Sequence, residues 1–309
     1  MQDAHVPVLL NEVLEHLQIK PDGVYVDGTF GRGGHSKKIL EQLGPDGRLL
    51  VIDRDLEAMR VASALAESDP RVITEHASFG GLREILMKHG IFGEVDGILL
   101  DLGVSSPQLD NAERGFSFAS DGPLDMRMDT TATQTAADWI NSAEYRDIVR
   151  VIARYGEDKN ARRIAKAICA ARDESRITTT GELAAIVESA APRFGKGKHP
   201  ATKTFQAIRI FINDELGEVE RALACLLEAV RKGGRICIIS FHSLEDRLVK
   251  RFFRDQSRVD PALSRLPVVP ESAQPKLRLS GGAIRAGDAE LDVNVRARSA
   301  VLRVAEVLS

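Results

Sequence analysis

The stretch Gly23-Val-Tyr-Val-Asp27-Gly28-Thr29-Phe30-Gly31-Arg32-Gly33-Gly34-His35-Ser36 decides the fold. An apolar run of β-favouring residues ends in an acid, a glycine-rich turn follows, and Ser36 is a capping residue for a helix reaching Leu43. Strand, glycine turn and helix in that order open a nucleoside-binding α/β domain. Upstream, Val8, Leu9, Val13, Leu14 and Leu17 fall on one helical face, and Pro21-Asp-Gly23 stops that helix. Downstream, Gly44-Pro-Asp-Gly47 breaks the chain before Arg48-Leu-Leu-Val-Ile-Asp53, a second strand closed by an acid. Helices over 56–65 and 82–88 and strands over 71–76 and 95–101 keep the alternation. Strands and helices at this spacing form a doubly wound parallel sheet.

The alternation stops after Gln108. Residues 108–199 hold a Gly/Pro/Asp-rich loop (114–129) and helical patterns over 135–139, 144–155, 159–172 and 180–191. After a breaker segment at 192–200, one long helix is expected over 204–231, then a strand at 235–242, a helix at 244–254 and a strand at 300–307. This tail reads as a βαβ-like ending. The fold class is therefore α/β, a Rossmann-like doubly wound sheet interrupted by an all-helical insertion. The expected domains are a discontinuous cofactor-binding domain, 1–108 with 209–309, and a helical substrate-recognition insertion, 109–208.

The chain has 309 residues, 43% hydrophobic and 28% charged, enough apolar mass for a sizeable core. No window approaches 18 uncharged apolar residues, and the start lacks a basic region followed by an apolar signal core, so a cytoplasmic location without membrane contact is expected. Three widely spaced cysteines (Cys169, Cys225, Cys237) with no CxxC exclude a disulfide framework and a cysteine-rich zinc site. The net charge of -3 conceals two basic regions: 144–209 and 247–303 each carry +6, leaving -15 elsewhere. Local contact with a polyanion such as nucleic acid fits this asymmetry; solvated helix faces are the alternative.

The glycine turn is not G-x-G-x-x-G, because the third glycine would fall at Ser36. An acid directly before the glycines repels a pyrophosphate but pairs with a cation, and S-adenosylmethionine carries an amino group and a sulfonium. Asp27, Gly31, Gly33 and Gly34 are accordingly cofactor-binding candidates, the glycines allowing close backbone approach. Asp53 lies 20 residues beyond Gly33, where an acid accepts from ribose hydroxyls. Phe79, after the third strand, is an adenine-packing candidate. Asp101 closes the fourth strand as a candidate for the cofactor's amino group, and Ser106-Pro107 could present backbone carbonyls to a substrate amine. The competing reading is a helix-capping turn with surface acids.

These residues resemble the ribosomal RNA small subunit methyltransferase H family across nearly the whole chain. The resemblance rests on His5-Val-Pro-Val-Leu-Leu-Asn-Glu-Val13, Asp27 through Ser36, Asp101 through Asp110, Arg114-Gly-Phe-Ser-Phe118 and Pro123-Leu-Asp-Met-Arg-Met128. It continues in Thr204-Phe-Gln-Ala-Ile-Arg-Ile-Phe-Ile-Asn-Asp-Glu-Leu216 and Ser240-Phe-His-Ser-Leu-Glu-Asp-Arg247. The resemblance implies an S-adenosylmethionine-dependent cytosine-N4 methyltransferase acting on 16S ribosomal RNA in the small ribosomal subunit. It also implies cofactor contacts at Gly33, Gly34, His35, Asp53, Phe79, Asp101 and Gln108. The motif at 294–300 departs from the family at Val295, where a proline is usual, and Val301 stands where a lysine is expected, so no substrate contact is assigned to this tail.

Methyl transfer from a sulfonium is an in-line displacement in which alignment dominates. The cytosine N4 lone pair is delocalised into the ring, so an acceptor for its protons would sharpen it. Ser105 or Ser106, through hydroxyl or carbonyl, is the candidate acceptor, with Asp101 positioning. His242 is a candidate substrate-side residue, with a structural role as the alternative. Phe116, Phe118 and Phe241 are candidates for stacking on the unstacked base. Carbon-5 methylation needs a cysteine that adds to the ring, and all three cysteines read as core. No metal is expected, because neither His35 nor His242 has a second ligand at metal spacing. RNA contacts fall on the insertion, on Arg247, Lys250, Arg251 and Arg254, and on the segment Arg193-Phe-Gly-Lys-Gly-Lys-His199. The oligomeric state is open between monomer and homodimer. Rival readings are a nicotinamide-dependent oxidoreductase, a non-catalytic RNA-binding assembly factor, and a methyltransferase with another substrate.

Overall fold

The computed structural model describes residues 7–191, 199–259, 263 and 270–309. Helix α1 (Leu10–Leu17) leads into β1 (Val24–Asp27), α2 (Gly34–Leu40), β2 (Arg48–Asp53), α3 (Leu56–Ser68), β3 (Val72–His76), α4 (Leu82–Lys88) and β4 (Val95–Asp101). Six helices follow: α5 (Ser106–Asp110), α6 (Ala136–Ser142), α7 (Tyr145–Gly156), α8 (Ala161–Glu174), α9 (Thr180–Ala190) and α10 (Ala201–Ile212). The chain then forms α11 (Glu215–Ala229), β5 (Val230–Ser240), α12 (Ser243–Gln256), β6 (Leu277–Leu279), α13 (Asp288–Val293) and β7 (Val301–Val307).

The chain divides into two compact units, Met1–Gly103 with Leu216–Ser309, and Val104–Glu215. The joins lie at 103/104 and 215/216, whereas the sequence puts them at 108/109 and 208/209. The helical unit takes the extra residues because Val104, Leu109, Phe211 and Ile212 pack against its own core.

In the first unit the sheet order is β3-β2-β1-β4-β5-β7-β6. Strands β1 to β5 are parallel, and the order reverses direction between β1 and β4, the switch point where ligands of open α/β sheets bind. Both faces are covered, so the strands are apolar on both sides rather than alternating. On β2, Leu50 and Ile52 join α4, α11 and α12 on one face; Leu49 and Val51 join α1, α2 and α3 on the other. Each such fully buried side chain contributes about 1.5–3 kcal/mol.

The chain's ending differs from the expected βαβ unit: β7 runs antiparallel to β5. Helix α12 returns the chain to the starting edge of the sheet, and short β6 rises from there, antiparallel to β7 and so parallel to β5. The segment carrying α13 then crosses back, letting β7 descend between β5 and β6, with Ile284 bridged to Leu302 on the way. Neither β6 nor α13 is visible in the hydrophobic pattern, being three and six residues long.

The second unit packs α6 to α10 around Trp139, Ile140, Ile152, Ile164, Leu183 and Phe205. The single helix expected over 204–231 is two. Helix α10 ends at Asn213, and Asp214 takes a left-handed φ of 47° before α11 begins. Asn213 is drawn out of helical register by its side chain, which accepts from Met128 N (2.7 Å) and donates to Met126 O (2.7 Å). Those bonds fasten the loop over 114–129, as does buried Arg114, which donates to the carbonyls of Arg127 and Met128. Of the basic segment expected to contact RNA only His199 is described, and of the first motif His5 and Val6 lie outside the described residues.

Candidate active site

The carboxyl ends of β1, β2 and β4 each deliver an aspartate, and the three do different work. Asp27 is buried, accepting from the Ser36 hydroxyl (2.6 Å) and Thr29 N (3.1 Å). It therefore folds the glycine turn back onto the first turn of α2, and burial raises its pKa despite the Ser36 bond. Asp53 accepts from Gly31 N (2.8 Å) and Asp55 N (2.9 Å), tying the same turn to β2; burial raises its pKa as well. Asp101 differs from both. Its Oδ1 is buried with no hydrogen-bond partner among the described residues. Burial, then the neighbouring charges of Asp27 and Glu245, hold its carboxyl well above the usual carboxylate range. Of the three acids, Asp101 is thus the one that keeps a buried oxygen, Oδ1, without a hydrogen-bond partner among the described residues.

The glycine turn is shaped by conformation and by close approach. Gly31 and Gly33 have φ of 56° and 74°, a region costly for any other residue, and a Cβ on Gly33 would lie 2.6 Å from Phe30 Cζ. A Cβ on Gly34 would overlap the ring of Pro7. Thr29, unmarked in the sequence reading, accepts from Asp101 N through Oγ1 (2.6 Å) and so joins the glycine turn to β4. His35, on α2, lies 3.0 Å from Val8 O through Nε2 and 4.0 Å from Asp101 Oδ2 through Nδ1. A carbonyl only accepts, so Nε2 carries a proton and donates, while Nδ1 is the ring nitrogen nearer Asp101. Phe79 opens a short 3₁₀ turn after β3; it is buried, with its Cβ 3.4 Å from where a Cβ on Gly28 would stand. Asp27, Gly31, Gly33, Gly34, His35, Asp53, Phe79 and Asp101 therefore share one edge of the first unit.

His242 follows β5 and caps α12. Its Nδ1 lies 3.4 Å from Glu245 N and its Nε2 3.1 Å from Glu245 Oε1, while Glu245 Oε2 accepts from the backbone N–H groups of Phe241 and His242. Both ring nitrogens thus face Glu245, which places the ring in a capping role. The x-x-Glu spacing after His242 is a capping-box signal that the sequence reading passed over. Phe241 is partly buried, 3.6 Å from the Cβ position of Gly103.

Ser105, Ser106 and Gln108 belong to the helical unit. The expected serine–proline bend is the first turn of α5, with Pro107 where a missing N–H costs nothing. Gln108 Oε1 accepts from Ser105 N (2.9 Å). The carbonyls of Ser105 and Pro107 accept from Leu109 N and Asn111 N, each keeping a second lone pair. Phe116 is buried in this unit's core, whereas Phe118 is partly buried, 4.8 Å from the rings of both His199 and Phe205. Cys225 and Cys237 are buried with thiols pushed up to about 11 and about 12 by desolvation, which removes both as ring-attacking nucleophiles at neutral pH. No helix among the described residues is long and apolar enough to cross a membrane.

The chain matches the MraW methylase family over residues 2–308. It is 53% identical over 307 residues to ribosomal RNA small subunit methyltransferase H of Coxiella burnetii (strain Dugway 5J108-111), covering 99% of this chain and 100% of that protein. It is 52% identical to the protein of the same name from Pseudoalteromonas atlantica, covering 99% of each. Among solved structures, an rRNA methylase from Streptococcus thermophilus overlaps at a TM-score of 0.44 and 10% identity, covering 99% of this chain and 100% of that one. The resemblance read from the sequence motifs is thereby established at the level of the family: the chain belongs to the MraW methylases, S-adenosylmethionine-dependent methyltransferases.

Proposed function

We propose that the chain methylates the exocyclic N4 of a cytosine in the decoding region of 16S ribosomal RNA, on the small ribosomal subunit in the cytoplasm. The observation that carries this reading is the buried, unpartnered Oδ1 of Asp101 beside a glycine turn at the sheet's switch point. A carboxylate oxygen without a donor in a confined site fits the α-ammonium group of S-adenosylmethionine. The relatives' name supports ribosomal RNA of the small subunit as substrate, and the motif resemblance supports cytosine N4.

The residues present fit that cofactor. Asp101 would pair with its ammonium, Asp53 would accept from ribose hydroxyls through its remaining lone pairs, and Phe79 would pack against the adenosyl group; the motif resemblance adds Gln108 as a cofactor contact. Gly31, Gly33 and Gly34 keep the turn free of side chains, Asp27 holds that turn closed, and the motif resemblance adds His35 as a cofactor contact. When bound, S-adenosylmethionine supplies a sulfonium methyl that N4 attacks in line, leaving a neutral thioether and one N4 proton to be removed.

Ser105 or Ser106, which directly follow β4 in the chain, accepts a hydrogen bond from N4 through hydroxyl or backbone carbonyl, with Asp101 positioning, and the released proton passes to solvent. His242 holds the start of α12 in place. The helical unit, 104–215, recognises the RNA together with the exposed cations Arg247, Lys250, Arg251 and Arg254, which recur every three to four residues on α12. The test is methyl transfer from labelled S-adenosylmethionine to small subunits lacking the modification, with the product nucleoside identified by mass. Label at carbon 5, or none at all, overturns the reading. Unchanged turnover in the double variant Ser105→Ala/Ser106→Ala overturns the serine assignment alone.

A further inference from the structure

Glu218 reaches the turn that carries Phe79 from 138 residues along the chain. It lies in the first turns of α11, yet its Oε2 accepts from Gly80 N (2.8 Å) and from the Ser78 hydroxyl, and its Oε1 accepts from Arg221 (2.7 Å). The side chain is only 13% exposed, so those donors are what keep a carboxylate there. The turn it grips, Phe79–Gly81, carries Phe79, whose Cβ stands against Gly28 of the glycine turn. On its far side Phe79 packs in the core with Leu82, Val219 and Ala222, the last two from α11 itself. The turn is thus wedged between the glycine loop and α11, with Glu218 fixing its backbone.

Gly80 shows how tight that wedge is. A Cβ at this position would overlap Glu218 Oε2 and lie 2.8 Å from its Cδ. Gly80 does not have a left-handed φ, so its lack of a side chain serves the approach of the carboxylate and not the backbone conformation. The site in contact with Phe79 already has its glycines, its acids and its core; the carboxylate of α11 adds the grip on the wall opposite them.

We infer that Glu218 is a positioning residue for the adenosyl portion of the methyl donor, acting through the Ser78–Gly81 turn and Phe79. The inference rests on the assignment of Phe79 to the cofactor under the proposed function. Hydrogen bonds to a carboxylate are stronger than neutral ones, so Glu218 narrows the positions open to the turn before the donor arrives.

The experiment is calorimetric titration of S-adenosylhomocysteine, with adenosine as competitor, into the full chain and five variants, alongside thermal unfolding and turnover at saturating donor. Glu218→Ala is expected to raise both dissociation constants about tenfold while leaving kcat within about twofold. Glu218→Gln keeps one acceptor oxygen for Gly80 and Ser78 and is expected to restore most of the affinity. Arg221→Ala, which removes the bond on the outer oxygen, is expected to leave it unchanged. Gly80→Ala is expected to weaken binding alone but to add little in the Glu218→Ala background, where the collision is gone. A lower melting temperature in Glu218→Ala with dissociation constants within twofold of the wild type would overturn the inference alone. No binding of S-adenosylhomocysteine by the wild-type chain would overturn it together with the reading on which it rests.

Discussion

His35 Nδ1 stands 4.0 Å from Asp101 Oδ2, with the other ring nitrogen held at 3.0 Å by the Val8 carbonyl. The imidazole therefore offers Asp101 a lone pair and not a donor when neutral, and leaves Oδ1 unsatisfied. Such an arrangement costs stability whenever Asp101 is ionised, which is the direction in which burial and the charges of Asp27 and Glu245 move its pKa.

Asp101→Asn is the direct test of that cost. Burial and the charges of Asp27 and Glu245 raise the folded-state pKa of Asp101 above its unfolded value. Between those two values the native state binds more protons than the unfolded state, so this residue's contribution to stability falls as pH rises. At pH 8 the asparagine variant should melt higher than the wild type, with the difference shrinking toward pH 4. Its kcat/KM should fall on the order of 100-fold or more, since a charge is lost from a preorganised site. A variant that melts lower at pH 8 counts against the assignment.

Gly33→Ala tests the turn. Its φ of 74° and the 2.6 Å approach to Phe30 Cζ make any side chain strained there. The cost should be about 1–3 kcal/mol by urea unfolding, with donor affinity lowered at least tenfold. Gly281, also at positive φ but with nothing within 4 Å of its Cβ position, is the control: alanine there should cost less and leave donor affinity unchanged.

Arg251 and Arg254 test the RNA surface. Both are exposed on α12, opposite the buried Val249 and Phe253, and both pair with Asp255. Arg251→Glu/Arg254→Glu should weaken binding to small-subunit RNA and flatten the dependence of log K on log salt by about 1–2. S-adenosylhomocysteine affinity should not change. Equal salt slopes for variant and wild type would remove this helix from the RNA surface.

Asn213→Ala should loosen the loop over 114–129. The substitution leaves the buried Met128 N–H and Met126 carbonyl without their partner, a loss of about 2–4 kcal/mol for the two groups together. Hydrogen exchange should show Met128 exchanging faster than in the wild type, while amides of β2 and β4 keep their protection. Unchanged exchange at Met128 would mean that Asn213 does not fasten the loop.

The sequence by itself determined the sheet's central strands, the glycine turn, the acids that close β1, β2 and β4, and the helical character of the middle of the chain. Each is written in local terms: apolar runs of strand length, an acid or glycine at a strand's end, a 3.6-residue period. The motifs were also specific enough to name the family. Tertiary structure alone decided which of the three aspartates is left unpartnered, because that depends on donors supplied from elsewhere, Ser36 for Asp27 and Gly31 for Asp53. It likewise decided the break at Asn213, which comes from a side chain reaching to Met126 and Met128. The reversal of β7 and the grip of Glu218 on Gly80 are of the same kind, since contacts between residues far apart in the chain leave no periodic trace in it.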